Sequence, residues 1–196
     1  MPLPLLPVQE NPWKSNRKEI KLDTPWIQVE LHEVTNPAGN PGIYGVTRFK
    51  NLAIGVLPLD EEGNTYLVGQ YRFPIDTYTW EIPEGGGSYE VDPLESAKRE
   101  LKEETGIEAA SWQLIQKMQL SNSATNEEAY IFLARDLTFG ESAPEENESL
   151  EIRKISMEEL IERVNSSEIT DSLTVAAVLR YRVMQLEGSL HLNQSI

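Results

Sequence analysis

The chain has 196 residues, 39% of them apolar, which supports one cored domain with at most a small accessory arm. Its formal net charge of −15 repels the phosphates of long nucleic acid, and a mean hydropathy of −0.41 without a long apolar run argues against a transmembrane helix. The absence of cysteine excludes disulfides, thiolate metal sites and a thiol nucleophile and fits a reducing, cytoplasmic setting, while two histidines argue against a histidine zinc site or a hydrolytic triad.

In chain order, residues 1–12 carry prolines among apolar residues and no basic n-region, and read as a flexible arm rather than a signal peptide. Residues 13–50 suggest a small antiparallel sheet. Trp26 to Val34 alternates as a half-buried strand, residues 36–42 are turn chemistry, and Ile43 to Phe49 gives another strand. His32 lies among the polar positions of its strand, where a hydrogen-bonded role is expected rather than metal ligation. Asn51 to Leu59 reads as a buried strand, residues 60–64 as a hairpin loop, Thr65 to Phe73 as the returning strand, and Thr77 to Ile82 as the next.

The most informative stretch is Gly85 to Ile107, a glycine loop followed by a helix with both ends marked. Asp92 is the expected N-cap, Pro93 stands at the first helical position, Glu95 would complete a capping box, and Gly106 supplies the left-handed stop. At about 100° per residue, Glu100, Glu103 and Glu104 share one sector, beside an apolar sector of Leu94, Ala97 and Leu101. A like-charge pair at i, i+4 costs roughly 0.2–0.5 kcal/mol, so Glu100 and Glu104 oppose the helix unless a cation joins them. Arg99 and Lys102 could balance a solvated acidic face. Hard divalent cations such as Mg²⁺ take all-oxygen ligands and would serve the same end.

The run Arg99-Glu100-Leu101, one residue, Glu103-Glu104, one residue, Gly106-Ile107, at its spacing from Gly85, resembles the signature of the Nudix hydrolases. One position departs: Val91 stands where that family usually has Glu, with Glu90 beside it as the replacement. The resemblance implies hydrolysis of a nucleoside diphosphate linked to another group. It implies Mg²⁺, with Mn²⁺ as the alternative, held by Glu100 and Glu104, completed by Glu103 and by the backbone carbonyl of Glu84. The N-terminal sheet is similar to that of the ADP-ribose pyrophosphatase branch, where it builds a homodimer. In that branch the residue matching Arg72 touches substrate phosphate. The stretch 121–127 lacks the proline that ADP-ribose-specific members usually carry, which leaves other nucleoside diphosphate sugars open.

Beyond the helix, Trp112 to Leu120 and Glu128 to Ala134 read as strands. An acidic loop from Leu137 to Glu151 follows. The resemblance implies that such a loop brings a carboxylate over the metals, and Glu146 and Glu148 match best. Leu150 to Ile155 reads as a strand, Ser156 with Glu159 as a capping box for a helix to Asn165, and Asp171 or Ser172 as the cap of a helix to Leu186. Val175, Val178, Leu179 and Leu186 are the expected core face of that last helix.

The expected fold is α+β: a Nudix-type α/β/α sandwich with a mixed sheet, spanning 51–188, preceded by the dimerising sheet 13–50 and the arm 1–12, with a tail over 189–196. The expected activity is Mg-dependent cleavage of ADP-ribose or a related nucleoside diphosphate sugar. A non-catalytic nucleotide-sugar sensor and a dinucleoside polyphosphate hydrolase remain as alternatives. The partners expected are a small nucleotide substrate and a second copy of the chain, with neither nucleic acid nor membrane.

Overall fold

The computed structural model describes residues 6–141 and 150–190. Two compact units emerge: one takes the chain to Lys50 together with Ser123–Asn126, and the other takes Asn51–Asn122 with the chain from Glu127.

The first unit is an antiparallel meander of β1 (Lys14–Asp23), β2 (Ile27–Thr35) and β3 (Pro41–Phe49), with β2 central. β1 is not legible in the sequence, because its charged residues hide the alternation; every one of its residues is exposed. The β2–β3 turn forms as its residues require, with Asn36 Oδ1 accepting from the N–H of Ala38 and Asn40 and Gly39 at φ 85°. Glu30 is 4% exposed at the centre of the sheet and ties it together. Its carboxylate accepts from Lys18 Nζ (3.0 Å), Arg48 Nε (3.2 Å) and His32 Nε2 (2.9 Å). Because a carboxylate only accepts, Nε2 of His32 is the donor to Glu30, and Nδ1 pairs with the Ser15 hydroxyl at 2.8 Å. His32 is thus a hydrogen-bonded strand residue.

The described residues of the second unit form two sheets. The mixed sheet has the order β7-β4-β9-β8, from β7 (Glu84–Ser88), β4 (Asn51–Pro58), β9 (Glu128–Phe139) and β8 (Ile107–Gln119), with β4 and β9 parallel. The antiparallel sheet has the order β10-β5-β6, from β10 (Glu151–Ser156), β5 (Asn64–Arg72) and β6 (Thr77–Glu81). The expected β4–β5 hairpin is therefore a crossover. Both edges of β4 are taken, by β7 and β9, so β5 pairs elsewhere. The stretch expected to be a glycine loop is likewise a strand: Gly85 pairs with Ile54 and Gly87 with Leu52.

Among the described residues, three α-helices cover these sheets: α1 (Pro93–Thr105), α2 (Met157–Asn165) and α3 (Ser172–Leu186). Successive side chains of β9 point to opposite faces, and the two cores follow that alternation. Phe132 and Ala134 join Ile54, Val56, Ala97 and Leu101 on the α1 side. Ile131 and Leu133 join Met157, Leu160, Leu173 and Ala177 on the α2–α3 side. This is the expected α/β/α layering, and each fully buried Leu or Ile contributes roughly 1.5–3 kcal/mol. On α3 the buried stripe is Leu173, Ala177, Val178, Tyr181 and Met184, while Leu179 and Leu186, expected in the core, are 52% and 74% exposed. At about 100° per residue the buried stripe is centred more than a quarter turn away from the expected one. No described helix is long and apolar enough to cross a membrane.

Candidate active site

The sequence places α1 by its caps. Asp92 Oδ1 accepts from Leu94 N at 2.8 Å, and Gly106 at φ 69° closes the last turn on Lys102 O. Glu95 does not serve as the far half of a capping box; its carboxylate takes Lys98 Nζ at 2.7 Å. In α2 Ser156 Oγ does cap Glu159 N, while the Glu159 carboxylate takes Arg163.

Ala97 and Leu101 are fully buried, which turns the carboxylate sector of α1 toward β7. Glu100 and Glu104 are 7% and 4% exposed, so they are not part of a solvated acidic face. Glu104 Oε2 accepts from the backbone N–H of Glu84 at 2.9 Å. Glu100 lies so close to β7 that a Cβ on Gly85 would overlap its carboxyl group. This explains glycine at 85 by a close approach; Gly85 is not among the residues with positive φ. Arg99 spans the sector: Nη1 donates to Glu103 and Nη2 to Glu100, both at 2.5 Å, with Nη2 also donating to Gly86 O at 2.8 Å. Glu103 is the outermost of the three, with 38% of its side chain exposed.

A second group adjoins the first through Glu84. Oxygens of Glu81, Glu84 and Asp171 all lie within 4.8 Å of one another. Arg72, at the end of β5, holds two of them: Nε lies 3.0 Å from both oxygens of Glu81, and Nη2 reaches Glu81 and Glu84. Burial alone would raise the Glu81 carboxyl, but its bonds to Arg72 and Thr79 bring it below the ordinary carboxylate range. Burial, then the charges of Asp171 and Glu81, push Glu84 well above that range. Glu84 Oε2 is buried without a hydrogen-bond partner. Asp171 caps α3, its Oδ2 accepting from Thr174 N (2.7 Å) and Thr174 Oγ1 (2.8 Å), and Thr174 Oγ1 in turn accepts from Ile82 N.

The structure thus brings Glu84, Glu100, Glu103 and Glu104 together at the α1–β7 junction, with Arg72 next to them in an ion-pair network. Glu146 and Glu148 lie outside the described residues. Val91 is 46% exposed and Glu90 is exposed too, in the turn between β7 and α1. Sequence reasoning missed the side chains of Glu81, Glu84 and Asp171. The one local signal was a pair of acids flanking Ile82-Pro83; Asp171 had none, since a helix cap explained it fully.

The donor set suits a hard divalent cation. It is entirely oxygen, Glu100 is seated in a cradle that any larger residue at 85 would fill, and Glu84 keeps an orphaned buried oxygen. A family model described as the NUDIX domain matches residues 49–173. The chain belongs to the Nudix hydrolase family. It is 32% identical over 166 residues to the ADP-ribose pyrophosphatase of Bacillus subtilis (strain 168), covering 84% of this chain and 88% of that one. It is 28% identical, with the same coverage, to the methanol dehydrogenase activator of Bacillus methanolicus. The crystal structure of an ADP compounds hydrolase matches with a TM-score of 0.81 over 94% of this chain and 100% of that one. At 18% identity that likeness concerns the fold alone.

Proposed function

We propose that this Nudix hydrolase cleaves the diphosphate linkage of ADP-ribose or a related nucleoside diphosphate sugar, with Mg²⁺, to a nucleoside monophosphate and a sugar phosphate. One observation carries the reading: two buried carboxylates, Glu100 and Glu104, converge on the Glu84–Gly85 backbone in an all-oxygen cluster. The likeness to a curated ADP-ribose pyrophosphatase supports the substrate class.

Glu100, Glu104, Glu103 and the Glu84 carbonyl would hold the metal. When bound, it neutralises phosphate oxygens and lowers the pKa of water. Arg99 fixes the orientation of Glu100 and Glu103 by bonding to both. Glu104 holds the Glu84 peptide, and with it the direction of the neighbouring carbonyl. Arg72 spends Nε and Nη2 on Glu81 and Glu84, which leaves Nη1 for a phosphate oxygen. Glu146 or Glu148 orients or deprotonates the attacking water. Water oxygen bonds to one phosphorus, the bridging P–O bond breaks, and the departing phosphate keeps the bridging oxygen and its electron pair. The setting proposed is a cytoplasmic homodimer joined by the N-terminal sheet, whose exposed Ile20, Leu22, Trp26 and Ile43 offer apolar surface for it.

The experiment is a panel of ADP-ribose, other nucleoside diphosphate sugars and dinucleoside polyphosphates, with Mg²⁺, Mn²⁺ or chelator, and products read by mass. Monophosphate plus sugar phosphate, formed only with metal, is the expected result. Binding without turnover would overturn the proposal in favour of a sensor, and preferential cleavage of dinucleoside polyphosphates would overturn the substrate class.

A further inference from the structure

Arg72 and Glu81 share one face of the sheet β10-β5-β6. Arg72 stands opposite Thr77 and Val68 opposite Glu81, and every second residue between them, Thr79 included, faces the same way. Four residues at about 3.3 Å each separate Thr77 from Glu81, roughly 13 Å of strand. The Arg72 side chain therefore leans back along the sheet to reach its acid. A long side chain at a strand end otherwise samples many rotamers.

Three residues hold it in place. Arg72 Nε lies 3.0 Å from both oxygens of Glu81, and Nη2 donates to Glu81 and to Glu84. Thr79 Oγ1 donates to Glu81 Oε1 at 2.7 Å, which fixes the acid in turn. The Nε–Nη2 edge of the planar guanidinium makes the fork, so Nη1 is the corner opposite Glu81. Nη1 meets no acceptor among the described residues. Burial is graded the same way: the side chain of Glu81 is 3% exposed and that of Arg72 is 35% exposed. The anchored end is dry and the free corner lies toward the open end.

Stability alone accounts poorly for this arrangement. Desolvation cancels much of the attraction within a buried ion pair. Glu84 and Asp171, with oxygens within 4.8 Å of Glu81, add repulsion that an apolar pair would avoid. What the network does supply is a cation fixed in direction, which loses little freedom when an anion binds it.

We propose that Glu81 is a positioning residue: it aims Nη1 of Arg72 at a substrate phosphate, and Thr79 holds Glu81 to that task. The role rests on the hydrolase reading for its substrate, whereas the fork itself does not.

The test uses the full chain, the variants Glu81→Gln, Glu81→Asp, Thr79→Val and Arg72→Ala, and the double variant Arg72→Ala/Glu81→Gln. Kinetics with Mg²⁺ on the nucleoside diphosphate sugar cleaved fastest gives KM and kcat. Calorimetry with chelator gives the affinity for α,β-methylene-ADP, whose diphosphate cannot be hydrolysed, and melting curves report folding. Glu81→Gln keeps the shape but loses the fork. It should raise KM and weaken the analogue about tenfold, with kcat within about twofold, as for an interaction made equally in ground and transition states. Glu81→Asp keeps the charge but is one methylene short, and should lose as much. Thr79→Val keeps a β-branched strand residue, so it should fold and cost about threefold in both readouts. If Glu81 acts through Arg72, the losses do not multiply, and the double variant should bind the analogue no more weakly than Arg72→Ala.

Wild-type KM and affinity in Glu81→Gln, or in Thr79→Val should Glu81→Gln fail to fold, would overturn the role while leaving the hydrolase reading intact. Full activity in Glu81→Asp would reduce Glu81 to a charge balance, and losses that multiply in the double variant would reduce it to a structural residue; either overturns the role. Non-multiplying losses of analogue binding, in a chain that cleaves no diphosphate, would uphold Glu81 and sink the hydrolase reading. A wild-type chain that neither binds the analogue nor cleaves a diphosphate would overturn both.

Discussion

Gly85→Ala separates the catalytic role of the α1–β7 junction from its structural one. The added Cβ would overlap the Glu100 carboxyl group, whereas ordinary contact begins at 3.4 Å, so the carboxylate must retreat by about 1 Å. The backbone does not resist alanine, since φ at 85 is not positive. Overpacking of this kind costs roughly 1–3 kcal/mol, and for a chain of this size each 1 kcal/mol lowers Tm by about 2–4 °C. The effect on activity should be much larger. Mg²⁺ demands near-ideal octahedral ligands, and a misplacement of about 1 Å can cost a hundredfold. The variant should therefore melt within roughly 10 °C of the parent while kcat/KM falls about a hundredfold and the Mg²⁺ needed for half-maximal rate rises. Gly87→Ala is the control, because its Cβ would meet Ile54 at 2.9 Å and Ser96 Oγ at 3.0 Å and touch no acidic ligand. It should lose stability on the same scale and keep its Mg²⁺ dependence. Undiminished turnover in folded Gly85→Ala would refute the placement of Glu100 as a ligand.

Other consequences follow from the same geometry. Glu104→Gln keeps an acceptor for the Glu84 N–H but removes the charge, so turnover should drop a hundredfold or more, about 2.7 kcal/mol in the barrier, with Tm nearly unchanged. Glu90, exposed in the turn after β7, should tolerate Glu90→Gln with kcat/KM within about twofold, as expected of a surface substitution. Glu30 makes the N-terminal sheet acid-sensitive. The His32 hydrogen bond, followed by those of Lys18 and Arg48, outweighs burial and lowers its carboxyl from 4.5 to about 2. A depressed acid stabilises the fold above its unfolded pKa, and that contribution is lost as pH falls from about 4.5 to about 2. Glu30→Gln should therefore cost about 1–3 kcal/mol at pH 7, and much less near pH 2, in denaturant melts of the two proteins.

The sequence by itself determined whatever depends on neighbours along the chain. The caps of α1, the shared sector of Glu100, Glu103 and Glu104, and most strands follow from periodicity, proline and glycine, because helical and extended backbones repeat every few residues. Long-range pairing was not legible. The glycine stretch reads as a loop until β4 offers it an edge, and β5 reads as a hairpin partner until β7 and β9 take both edges of β4. Only the tertiary structure decided that Glu100 and Glu104 are buried, that Arg72 is bound to Glu81 and Glu84, and that Asp171 arrives beside them. Those facts concern residues up to about a hundred positions apart. Their meeting is set by how sheets and helices pack, and no local periodicity encodes it.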